Sequence, residues 1–175
     1  MSVVKSLGAA LAAAGAGLER ARQETAAADR AVEQAAARAA GSGFLGIAQN
    51  LARSRAAIQE IGAGIGATIG RIGEAAQLVA TTPKQPTPQE TVALLGPLAQ
   101  QLDSVHSAIG AVMEAIGKAQ QVINTALQGG QPGPLLARLA AIRTTMLAVV
   151  QHNNQAKQHA ATAVADARKT GDQGN

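Results

Sequence analysis

Apolar residues recur along this chain at alternating spacings of three and four, which lays a stripe down one face of a helix. The pattern is clearest where Leu51, Ile58, Ile65, Ile72 and Val79 fall seven apart, with Ile47, Ile61, Thr68 and Ala75 filling most of the intervening row. An earlier segment repeats it with Val4, Leu11, Leu18 and Val32 in one row and Leu7, Ala14, Ala21, Ala28 and Ala35 in the other, so alanine dominates that second row. Stripes sustained over several heptads predict nearly parallel helices with gentle left-handed supercoiling.

Two later segments carry the same stripe and align with each other without gaps. Gly96-Pro97-Leu98 through Leu127 superimposes on Gly133-Pro134-Leu135 through Val164, so that Leu98, Leu102, Val105, Ile109 and Val112 fall on Leu135, Leu139, Ile142, Met146 and Val149. Three breaks separate the four segments: Gly41-Ser42-Gly43, the proline-bearing stretch Thr81 to Pro88, and Gly129-Gly130-Gln131-Pro132-Gly133-Pro134. Glycine adds backbone entropy and proline lacks a donor and clashes with the preceding turn, so these are predicted loops.

The predicted fold is therefore all-α: four long heptad-patterned helices in two antiparallel hairpins, forming an up-down-up-down four-helix bundle. Residues 1–80 make the first hairpin, 81–88 a Pro-rich linker, 89–170 the second hairpin and 171–175 a disordered tail. The arrangement with the hairpins apart is the alternative. Within the linker, Thr87-Pro88-Gln89-Glu90 reads as a helix start, with Thr87 as cap, Pro88 in the first helical position and Glu90 closing a capping box. The polar tail from Thr170 onward has nothing to bury and is expected to fray.

Composition narrows the functional classes. The chain has 175 residues, 47% of them hydrophobic, yet it holds one Phe and neither Trp nor Tyr. Aromatic side chains supply much of the large buried contact area of compact domains, so their scarcity argues against an ordinary mixed α/β enzyme. Without cysteine there are no disulfides, thiolate metal sites or cysteine nucleophiles. The start of the chain has a Lys and an Ala-rich run, but the heptad continues through it, which favours a mature helix over a signal peptide. No stretch is expected to span a membrane, and the expected location is cytoplasmic, with export by a non-classical route as the alternative.

Charge changes the picture little. The formal net charge is +4, but only 15% of residues are charged and acids recur among the bases. Basic residues gather loosely at Arg20 and Arg22, Arg53 and Arg55, and Arg138 and Arg143. Lacking a dense basic face or stacking aromatics, they predict no specific nucleic-acid binding.

Candidate chemistry is equally sparse. His152 and His159 stand two helical turns apart, about 10 Å, too far to share an ion, and neither they nor His106 belong to a Glu-x-x-His motif. The run Ile61-Gly62-Ala63-Gly64-Ile65-Gly66-Ala67-Thr68-Ile69-Gly70 lacks the strand before it, or the Gly-Lys-Ser/Thr ending, that a phosphate cradle requires. Its Gly62, Gly66 and Gly70, with Gly110 and Gly117 in the third helix, read instead as faces where another helix comes close; ordinary packing inside a bundle explains the same spacing. Catalytic residues, cofactors and metals are not expected.

The one aromatic residue lies in Ser42-Gly43-Phe44-Leu45-Gly46, between the first two helices. Phe44-Leu45-Gly46 resembles a Phe-substituted form of the turn in the WXG-motif proteins of type VII (ESX) secretion, which are hairpins of two long helices. The resemblance covers the first hairpin, roughly Met1 to Val79, and implies action by helix pairing with a partner. The family's Tyr-x-x-x-Asp/Glu export signal has no counterpart, since the chain has no tyrosine. The whole chain, with Gln128-Gly129-Gly130-Gln131-Pro132-Gly133-Pro134 and its Gly174-Asn175 end, also resembles Ala-rich actinobacterial proteins classed as a domain of unknown function, a resemblance that implies no activity.

The expected function is therefore that of a non-enzymatic helical interaction or structural module, acting on a protein partner or by self-association. An adaptor or substrate of a type VII-like secretion system is one alternative. An enzyme whose site forms only on oligomerisation is another. Phe44, Leu45 and Gly46 are the candidate turn motif, with Phe44 and Gly46 expected to fix that turn.

Overall fold

A computed structural model describes residues 3–83, 86–127 and 132–172. They form four α-helices: α1 (Val3–Gly41), α2 (Leu45–Ala80), α3 (Pro88–Ala126) and α4 (Gly133–Asp172). Among the described residues, α1 approaches α2, α2 approaches α3, α3 approaches α4 and α4 returns to α1, with no close backbone approach across either diagonal. Antiparallel neighbours closed into a ring make an up-down-up-down four-helix bundle, so the apolar seams of the two hairpins face each other.

Most of each heptad row is core, though Ile47 at the start of α2 is 49% exposed. Leu7, Leu11 and Leu18 of α1, Ile58, Ile61 and Ile65 of α2, Leu98, Leu102 and Ile109 of α3, and Leu139, Ile142 and Met146 of α4 are all buried. The seam also contains buried polar side chains. Thr25, Ser54 and Thr68 donate their hydroxyls to the carbonyls four residues earlier, of Ala21, Asn50 and Gly64, at 2.7, 3.1 and 2.8 Å. Each is thereby satisfied within its own helix, so burying it strands no donor.

The helix ends follow from local chemistry. Thr87 caps α3 as its sequence predicts: its Oγ1 accepts the Glu90 N–H at 3.3 Å, and Glu90 Oε2 accepts the Thr87 N–H at 2.8 Å. This reciprocal pair satisfies two amides that the first helical turn leaves free. Pro97, by contrast, lies inside α3, whereas Pro134, its counterpart in the repeat, sits in the first turn of α4. The two aligned units thus begin at different points in their helices.

Two expectations change. Helix α4 runs to Asp172, so Thr170, Gly171 and Asp172 continue the helix instead of fraying; Thr170 Oγ1 donates to the Asp166 carbonyl at 2.9 Å. Residues 173–175 of the expected tail, like Lys84 and Gln85 of the linker and Gln128 to Gln131 of the last loop, lie outside the described residues. The second change concerns hydropathy: α4 is, by length and composition, apolar enough to cross a membrane, contrary to the expectation that no stretch was. Of that stretch, Leu139, Ile142, Met146 and Val149 are buried in the bundle, whereas Leu147 is 49% exposed.

Candidate interaction site

The α1–α2 turn is built by glycine, at one position. The Phe44 N–H donates to the Ala39 carbonyl at 2.8 Å and the Gly43 N–H to the Ala40 carbonyl at 3.0 Å, while Gly43 has φ +80°. That is a Schellman closure, in which the residue past the helix end adopts a left-handed conformation that a Cβ would disfavour. Gly43 therefore sets the turn. Gly46 is an ordinary helical residue of α2 with open space where a side chain would stand, and Phe44 precedes α2 without a side-chain capping bond.

Freed from any capping duty, Phe44 points outward. It is 60% exposed, Leu45 66% and Ile47 49%, three large apolar residues together at one end of the bundle. The C-terminus of α3 reaches the same end, where the Asn50 side-chain amide donates to the Ala126 carbonyl at 3.1 Å and satisfies an acceptor at the helix terminus.

Beside this apolar end opens a cleft of about 430 Å³. Helix α1 contributes Ala31, Val32, Ala35 and Ala39, α2 contributes Ile47 and Leu51, and Leu127, Pro134 and Leu135 close the far side. Its origin is legible in composition: where α1 carries alanine, the facing side chains of α2 and α4 have nothing to reach, so Leu135 is only partly buried although its repeat counterpart Leu98 is fully so. Arg38 and Arg138 stand on the lining. Arg138 lies 4.0 Å from Glu24, at the outer limit of an ion pair, and Arg38 Nε donates to the Gln34 carbonyl at 3.2 Å.

The glycines singled out by spacing divide. A Cβ on Gly62 would touch Thr25 Cγ2 of α1 at 3.6 Å, an ordinary contact, whereas Gly66, Gly70, Gly110 and Gly117 meet nothing within 4 Å. No helix of the bundle uses those four, and Gly117 borders a shallow groove between α3 and α4 with Leu136, Ala140 and Arg143. The glycines where a Cβ would clash are Gly17 and Gly64, facing Val149 at 2.7 Å and Val112 at 2.9 Å. Spacing alone missed them; the usable signal was that they flank the seam on α1 and α2, whereas Gly66 and Gly70 lie away from it.

Charged groups pair mostly between helices, and in part within one. Arg55 bridges α2 to α1, with Nε 3.0 Å from Asp29 and Nη1 2.9 Å from Glu33. The Asp29 hydrogen bond, opposed in part by burial, holds this guanidinium above its usual pKa. Arg22 pairs with Glu19, Arg71 donates to the Ser104 carbonyl, and Lys157 of α4 pairs with Asp103 of α3. His106 is exposed, and His152 and His159 are half-buried at separate levels of α4. Among the described residues, no three His, Asp or Glu side chains are grouped to hold a metal ion.

These features define an all-helical bundle with an open apolar end. Residues 86–172, the second hairpin, match the model of a family described as a family of unknown function, DUF6244. No curated protein and no solved structure matches the chain.

Proposed function

We propose that the protein is a non-enzymatic interaction module that docks a partner helix or a second copy of itself through the apolar end around the α1–α2 turn. One observation carries this: Phe44, the chain's single aromatic residue, is exposed together with Leu45 and Ile47. Large apolar residues grouped on a surface favour association, since removing them from water contributes roughly 25 cal/mol per Å². The seams themselves are occupied within the closed ring, which leaves the end and the four open glycines as surfaces for another chain.

Light scattering after size exclusion, with small-angle X-ray scattering over a concentration series, tests it. The expected result is a mass rising above the 17.5 kDa of one chain, with Phe44→Gln and Ile47→Gln together returning it to that value. A mass of 17.5 kDa at every concentration, with no partner helix bound, overturns the proposal.

A second reading, an adaptor or substrate of a type VII-like secretion system, is favoured by the placement of Phe44-Leu45-Gly46 at the junction of two long antiparallel helices. Export in a host carrying such a system, lost on its inactivation, is the expected result; unchanged export removes this reading.

A further inference from the structure

We infer that the cleft between α1, α2 and α4 is a binding site for a free single-chain amphiphile with an anionic head, specifically an alkyl carboxylate. This goes beyond docking of a partner at the neighbouring turn and uses different residues, apart from Ile47. The argument begins with shape. At about 430 Å³ the cleft falls within the range of small-molecule sites. If each methylene takes about the 30 Å³ of a water molecule, it holds roughly a dozen carbons.

Lining chemistry selects the tail. Val32, Ala35, Leu51, Leu127 and Leu135 offer side chains without a polar atom, so nothing in the floor competes for a hydrogen bond. A wall of this kind prefers an alkyl chain, at roughly 0.8 kcal/mol per methylene removed from water.

Charge selects the head. The two charged residues lining the cleft, Arg38 and Arg138, are both guanidinium groups, from α1 and α4. Among the described residues no carboxylate stands within ion-pair distance of Arg38, and Glu24 holds Arg138 only at 4.0 Å. Guanidinium donors match a carboxylate in a planar, two-point geometry. A cationic head would be repelled by both, and a neutral one would gain nothing from their charge.

The test uses the full chain and dodecanoate, kept below its micelle concentration, with titration calorimetry and ¹⁵N chemical-shift mapping. Saturable one-to-one binding is expected, with shifts centred on Ala35, Leu51 and Leu135. Replacing Arg38→Gln and Arg138→Gln together, both on the surface, is expected to weaken dodecanoate at least tenfold and leave dodecan-1-ol unchanged. Ala35→Leu, which fills the cleft, is expected to abolish both, with Ala39→Leu as the second filling variant should the first fail to fold. Absence of a saturable response, equal affinity for dodecyltrimethylammonium, or binding to anionic phospholipid vesicles with none to monomeric dodecanoate would each overturn the assignment. The mass of the ligand-free protein, which decides the docking proposal, does not enter any of these outcomes.

Discussion

Val149 of α4 packs against the bare backbone of Gly17 in α1: a Cβ placed on Gly17 would lie 2.7 Å from Val149 Cγ2. Val112, which the repeat aligns with Val149, packs in the same way against Gly64 of α2, at 2.9 Å. Both hairpin-to-hairpin interfaces therefore join a valine of the second hairpin to a glycine of the first. Neither valine has a flexible end that can swing aside.

Gly17→Ala and Gly64→Ala are thus expected to destabilise the bundle by about 1–3 kcal/mol through overpacking, overriding alanine's better helix propensity. Gly66→Ala and Gly110→Ala, where a Cβ meets nothing, are expected to stabilise it by up to about 1 kcal/mol each. Denaturant unfolding of the four variants checks the opposite signs.

Asn153 is fully buried on α4, and its side-chain amide donates to the Leu102 carbonyl of α3 at 3.1 Å, while its Oδ1 has no protein partner. A buried acceptor left alone is destabilising by about 1–3 kcal/mol. Asn153→Leu is expected to raise Tm while loosening the register of α3 against α4, because a lone buried amide specifies which turn faces which. Thermal unfolding reads the first effect, and faster amide exchange in α4 the second.

The Thr87–Glu90 box gives a pH dependence. Hydrogen bonds from the Thr87 backbone and then its side chain hold the Glu90 carboxylate below its usual pKa of 4.5. With the folded value below the unfolded one, this contribution is fully present above about pH 4.5 and is lost as pH falls through the lowered value. Glu90→Gln is expected to flatten the acid side of the stability profile, seen by comparing denaturation midpoints from pH 6 down to about 3.

Pro97 sits exposed inside α3, where it removes an amide donor and crowds the carbonyl four residues earlier. Pro97→Ala is expected to stabilise the protein by up to about 3 kcal/mol. Chemical denaturation measures it; no gain would mean that the helix geometry has been shaped around the ring.

The heptad rows made most of the fold legible in advance, because burial follows a period that sequence states directly: Leu51, Ile58, Ile65, Ile72 and Val79 are all buried. The capping box was equally readable, since Thr87 and Glu90 act on residues three apart. Gly17 was not, because its importance depends on which residue of a helix more than a hundred positions away stands opposite. Asn153 escaped for a related reason: it occupies the repeat position of Ile116, and the pattern does not say that a polar side chain there will be buried. The cleft was half visible in the alanine row of α1, but an unfilled space needs both of its walls before it can be seen.

The alternating direction of the four helices has an electrical consequence. Each end of the bundle gathers two helix starts and two helix stops, so the backbone dipoles oppose one another in neighbouring pairs and leave little net field there. Away from the individual helix termini, the potential at the Phe44 end is therefore written mainly by side chains, Arg38 and Arg138 beside the apolar opening and Arg53 near the end of α3 among them.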